Sequence, residues 1–134
     1  MNIENNKGIV SEFFSRFTAS DVNGALEMMT DDATWWIAGK PGSTPAVGTR
    51  SKEQITRLFH YMLGQLKDGL RMTVKSMISE RDSVAVEVES YGELANGRVY
   101  NQEYHMLVVI RDGKISAVRE YLDTQHVLDV WFQP

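Results

Sequence analysis

The sequence predicts an α+β fold, with helices packed on one face of a curved antiparallel sheet. Two observations carry this. Apolar residues recur at helical spacing as far as Leu66, and at every second position from Leu70 onward. Turn dipeptides at Asn96-Gly97 and Asp112-Gly113 then cut the second half into hairpin-sized runs. Helices first and strands later is the order of an α+β domain.

The elements follow in order. Ile9, Val10, Phe13, Phe14 and Phe17 form one apolar stripe, so residues 4–19 read as a helix. Ser20-Asp21 offers a cap for a second, short helix with Val22, Ala25, Leu26 and Met29 inward and Asp31-Asp32 at its end. Residues 33–37, with two tryptophans and an isoleucine, read as a strand. Residues 38–50 hold Gly39, Pro41, Gly42, Pro45 and Gly48 and read as a loop. Ser51 and Gln54 match a capping box for a third helix carrying Ile55, Leu58, Phe59, Met62, Leu63 and Leu66 inward, with Asp68-Gly69 stopping it. Strands are expected near 70–79, 83–93, 98–111 and 114–123, joined as a meander. The tail from 124 ends in an apolar Val-Trp-Phe run and reads as a short helix.

Composition narrows the function. A chain of 134 residues is expected to form one domain, burying roughly two thirds of its unfolded surface. A net charge of −4, with Lys and Arg dispersed, argues against nucleic acid, which needs a basic footprint. There is no cysteine, so disulfides, thiolate metal sites and cysteine nucleophiles are excluded. The first residues lack the layout of a signal peptide, and no apolar run approaches the roughly 20 residues of a membrane span. A cytoplasmic protein, off the membrane, is the expectation. His60, His105 and His126 fall on separate elements without ligand spacing, so no metal is expected. The opposite parity of His105 and Tyr104 puts His105 on the outer face.

On the last strand, alternation gives Ser116, Val118, Glu120 and Leu122 one face. Glu120 is then a carboxylate between apolar neighbours. If that face is interior, Glu120 is a working group or half of a structural ion pair, because an unpartnered buried carboxylate is costly.

Four stretches match a known family in order and spacing from about residue 8 to 126: Ser20-Asp21 through Leu26, Asp31 to Thr34, Gly48 to Ile55, and Gly113 to Asp123. On these the chain resembles the nuclear transport factor 2-like superfamily, in its SnoaL-like and ketosteroid isomerase-like branch. The resemblance implies a cone-shaped α+β barrel with a deep apolar pocket, and a homodimer formed through the sheet. The fold does not fix the function, since its members include isomerases, cyclases, dehydratases, epoxide hydrolases and binding domains.

The resemblance tests each chemistry by position. Steroid isomerases of this fold carry a general-base aspartate where this chain has Ile37, and oxyanion donors where it has Phe13 and Met106. All three are apolar here, which disfavours that mechanism. In the epoxide hydrolase relatives, the acid of the last strand matches Glu120. The other relay positions fall on Glu87 and Glu89, and the water holders on Trp35 and Ile37. The bridging arginine and the water holders are therefore absent. A carboxylate working without a metal, as in SnoaL-like cyclases, is compatible with Glu120.

The pocket that the resemblance implies takes Trp35 and Ile37 from the first strand, and Phe59 and Met62 from the third helix. Glu87, Glu89 and Tyr91 come from one strand and Tyr100, Gln102, Tyr104 and Met106 from the next, with Val118, Glu120 and Leu122 from the last. Bare alternation reads residues 84–89 the other way, with valines inside and glutamates outside. The sequence leaves that choice open, and the valine face serves a dimer only if the glutamates line the pocket. Glu120 and Glu89 are the catalytic candidates, with crowded carboxylates raising one pKa toward neutrality. Tyr91, Gln102 or Tyr104 is placed to donate to a developing oxyanion. Trp131 and Phe132 either lid the mouth or pack the terminal helix. The expected function is cofactor-free acid/base chemistry on a small apolar molecule: isomerase, lyase, cyclase or hydrolase. The rival is a non-catalytic binding or dimerisation module.

Overall fold

In the computed structural model, which describes residues 3–134, ten elements follow one another. Helices α1 (Ile3–Thr18) and α2 (Val22–Glu27) precede strands β1 (Met29–Ile37) and β2 (Gly48–Ser51). Helix α3 (Lys52–Gln65) leads to β3 (Arg71–Glu80), β4 (Ser83–Glu93), β5 (Val99–Arg111) and β6 (Lys114–Leu122), and α4 (Thr124–Trp131) closes the chain. The order in the single six-stranded sheet is β2-β1-β6-β5-β4-β3. The α+β architecture with N-terminal helices on a sheet is as the sequence predicts. The sheet is open, with β2 and β3 as edges, and it is mixed: β1 pairs with β6 in parallel while every other neighbour is antiparallel. Residues 29–37 reach β6 only after α3 and the meander, and so long a connection allows the parallel arrangement.

Local chemistry explains the boundaries. Asp21 caps α2 by accepting from Gly24 N, and Ser51 and Gln54 form the reciprocal capping box of α3. Asp112 and Gly113 both have positive φ (53° and 78°), which a two-residue turn with the right twist requires. Three readings change. Met29 belongs to β1 and not to α2, because it pairs with Ile115; Asp31 and Asp32 lie within that strand. The segment read as a loop contains β2, whose Gly48 pairs with Ile37. A bulge at Ser116 breaks the alternation in β6, so Ile115, and not Ser116, is buried with Val118.

The core lies on the concave face. Val84, Val86 and Val88 are fully buried there, on the side of the sheet that α1 covers, so bare alternation decides β4 and the valines are no dimer surface. Phe13 of α1 sits among Phe14, Phe17 and Trp35, with ring centroids 5.0–6.0 Å away. Thr18 fixes the end of α1 to edge strand β3, donating to Met72 O and accepting from Met72 N. A second apolar cluster gathers Leu94, Tyr100, Val127 and Val130 under α4.

Gly92 is the tight point. A Cβ there would stand 2.9 Å from Gly69 O and 3.0 Å from side-chain carbons of Leu66 and Leu70. Gly92→Ala is expected to push that segment outward and cost about 1–3 kcal/mol, the usual cost of overpacking. Urea unfolding checks this: an unchanged midpoint would mean that the 66–70 segment yields freely.

Candidate active site

Glu120 is the only acidic or basic residue buried in the sheet core among the described residues, at 6% exposure. Its backbone pairs with Ile37 on one side and Met106 on the other. These three side chains form a row across β1, β6 and β5, with one carboxylate between two apolar groups. The Trp35 indole Nε1–H donates to Glu120 Oε1 at 2.9 Å. Phe59 and Phe17 hold that indole edge-on, at centroid distances of 4.9 and 6.3 Å. No side-chain hydrogen bond among the described residues engages the other oxygen, Oε2.

Burial therefore dominates its electrostatics. Desolvation raises the Glu120 pKa from the ordinary 4.5 to about 7, against the Trp35 hydrogen bond and the charge of Arg50, which both pull it down. Arg50 does not pair with it, because its guanidinium donates to the Ala46 and Pro45 carbonyls. The sequence carried no signal for Arg50, which lies on the short strand read as loop. The structural ion pair considered for Glu120 is not made.

A cavity of about 80 Å³ opens over this row. Of the expected residues, Trp35, Ile37, Phe59, Met62, Tyr104, Met106, Glu120 and Leu122 line it. So do Tyr100, Trp131 and Phe132, together with Leu66 and Leu70. Gln102 is buried beside it, its amide fixed to the backbone of Asp123. Val118 is buried in the core beneath Glu120.

Glu87, Glu89 and Tyr91 lie on the opposite face, because their strand parity is that of solvent. Glu87 is exposed and accepts from Ser76 Oγ at 2.7 Å. Glu89 accepts from Asn101 and faces Lys75 at 3.5 Å; that hydrogen bond, then the lysine charge, lowers its pKa. Tyr91 is 44% exposed, with Arg71 over its ring. The raised pKa of Glu120 thus comes from burial and not from crowded carboxylates. His105 is exposed on the outer face, His60 meets Asn23, and His126 Nε2 accepts from Asn101 N. Among the described residues no three His, Asp or Glu side chains gather as metal ligands, and no helix is long and apolar enough to cross a membrane.

Val127 and Trp131 of α4, with Phe132 just beyond it, line one end of the cavity. Tyr100 packs between His126, stacked at 5.3 Å, and Trp131, edge-on at 5.2 Å. The half-buried Arg98 holds the end of α4 by donating to the carbonyls of Asp129, Val130, Gln133 and Pro134 at 2.8–3.3 Å.

The raised pKa has a signed consequence. Well below pH 4.5 both folded and unfolded chains carry a neutral Glu120. As pH rises toward 7 the unfolded chain ionises first, so the folded state loses stability by roughly 3 kcal/mol and then stays level. Glu120→Gln lacks this loss. The stability gap between wild type and variant is expected to move by that amount across the window; a gap independent of pH would mean an ordinary carboxyl. Carbon-13 NMR of the carboxyl should titrate near 7.

The comparisons agree with this architecture. A family model described as a SnoaL-like domain matches residues 10–118. No curated protein matches the sequence significantly. Among solved structures, a nuclear transport factor 2-like protein of unknown function from Burkholderia pseudomallei superposes with a TM-score of 0.82 at 16% identity, over 99% of this chain and 100% of that one. A proposed isomerase from Bacillus subtilis gives 0.82 at 21% identity, over 98% and 96%. TerC, co-crystallised with polyporic acid, gives 0.80 at 20% identity, over 94% and 97%. At these identities the structures establish the fold, and the family match establishes the membership: this chain belongs to the SnoaL-like domain family.

Proposed function

We propose that this chain, working as one domain, is an enzyme that performs cofactor-free acid/base chemistry with Glu120 on a small, largely apolar molecule. The carrying observation is the solitary carboxylate in an apolar cavity, with its pKa raised to about 7. A carboxyl half ionised at neutrality takes a proton and returns it with little bias either way. Trp35 holds Oε1 and leaves Oε2 to carry the proton. The surrounding aromatic and aliphatic side chains exclude water, so the proton returns to the substrate, as an isomerase, lyase or cyclase needs. Hydrolysis would instead require a held water, for which Ile37 and Met106 offer no partner.

A second reading has one observation in its favour. Phe13, Ile37 and Met106 are apolar where related steroid isomerases are polar, which supports a non-catalytic binding module. Exchange of solvent deuterium into the acidic C–H positions of small cyclic ketones, followed by NMR, separates the two. Wild type should catalyse exchange, and Glu120→Gln should slow it by ~10²–10⁴ with the fold intact. Equal rates in both proteins would leave the binding module as the reading.

We also propose a homodimer formed through the outer sheet face. Ile78 (74% exposed), Tyr91, Tyr121 and Val99 supply apolar surface there, with Arg119 stacked 4.1 Å over Trp36. Light scattering at tens of micromolar, a range set by ordinary dimer affinities, should give twice the chain mass. A monomer at that concentration counts against it.

A further inference from the structure

We propose that Tyr100 and Trp131 form an acceptor-recognition site at the α4 end of the cavity, so that the ligand is an apolar molecule carrying a carbonyl oxygen there. This rests on the reading that the cavity holds a small molecule, and it names the chemistry of that molecule.

The inference follows from a hydrogen-bond count. Gln102 Oε1 accepts from the backbone N–H of Glu103 and of Asp123, which fixes the amide so that Nε2 is the donor. Nε2 donates to Asp123 O at 2.9 Å and to the Tyr100 hydroxyl oxygen at 3.4 Å. Tyr104, itself bonded to Ser90, donates to the same oxygen at 3.5 Å. The Tyr100 oxygen thus receives two donors, and its own proton has no acceptor among the described residues. Trp131 Nε1 is the one buried side-chain polar atom without a hydrogen-bond partner among those residues. It lies close enough to the Tyr100 hydroxyl to favour that group's charged form, yet makes no hydrogen bond of normal geometry with it.

Two unspent donors therefore stand side by side, 5.2 Å between ring centroids, and both residues line the cavity. An indole N–H donates only, so Trp131 cannot satisfy Tyr100 by accepting. Burial, then the charge of Glu120, raises the Tyr100 pKa to about 12, so the hydroxyl keeps its proton at neutrality. His126, stacked on the ring, restricts its rotation. A carbonyl oxygen has two lone pairs and answers both donors at once. It also leaves the rest of the ligand against aliphatic and aromatic walls.

The test uses 1-tetralone and tetralin, one carbon skeleton with and without the oxygen. In protein labelled with nitrogen-15 at the indoles, 1-tetralone should move the Trp131 Nε1–H proton signal downfield, and tetralin should not. Trp131→Phe keeps an aromatic ring and removes the N–H. It should weaken 1-tetralone by about three- to tenfold while leaving tetralin within about twofold, as loss of one hydrogen bond dictates. Tyr100→Phe, a second and independent variant, should do the same. An unmoved Trp131 signal, absence of 1-tetralone binding included, or equal losses for both probes in both variants, overturns the proposal. The outcome is separable from that of the acid/base reading. Glu120→Gln should preserve the ketone-to-hydrocarbon ratio even where it abolishes exchange, and a lost ratio alongside intact Glu120-dependent exchange sinks the acceptor site alone.

Discussion

The parallel pairing of β1 with β6 is the constraint on which the rest depends. It sets Ile37 beside Glu120 and Trp35 beside Val118, one inward position apart on each strand. That offset lets the Trp35 indole lean across to Oε1. Reversed strands would give the inward side chains a different offset, and the carboxylate would lose its single donor. The indole is held in turn by Phe13 and Phe17 of α1 and Phe59 of α3. Helix packing thereby reaches the carboxylate through one aromatic ring, and a shift of either helix would be felt at Oε1 before it disturbed the sheet.

The carboxylate is a local conflict in an otherwise consistent core. A glutamate between Ile37 and Met106 is disfavoured when charged, and the hydrogen bond with the distant charge of Arg50 offsets only part of the desolvation. The side chains around it on the sheet, Ile37, Met106 and Val118, are apolar and buried.

Much of this was legible in the sequence. The β5 sequence alternates from Tyr100 to Met106 and then runs apolar to Ile110, while the burial alternates throughout. The same logic placed Glu120 inward. It also placed Val84, Val86 and Val88 inward, while the family resemblance pointed Glu87, Glu89 and Tyr91 there instead. Local periodicity prevailed because burying three glutamate or tyrosine side chains without partners would cost more than burying valines. What the sequence hid were long-range effects: the parallel β1–β6 pair, the bulge at Ser116, and β2, four residues opening on Gly48 that pair with β1 alone. Arg50 and the Tyr100–Trp131 corner were hidden for the same reason, since each depends on a loop or tail docking against distant residues.

The Arg98 clamp on α4 bears on the cavity in one further way. Its guanidinium is answered by main-chain oxygens of Asp129, Val130, Gln133 and Pro134 and by no side-chain carboxylate. These carbonyls include those that a helix end leaves without partners, so one side chain does the work of a C-terminal cap. The contact sets one charge against backbone oxygens, whereas Lys67–Glu93 sets two exposed side-chain charges against each other. What competes with Arg98 is another planar donor of the same shape. Guanidinium ions in solution are that species, and they offer the α4 carbonyls an alternative partner.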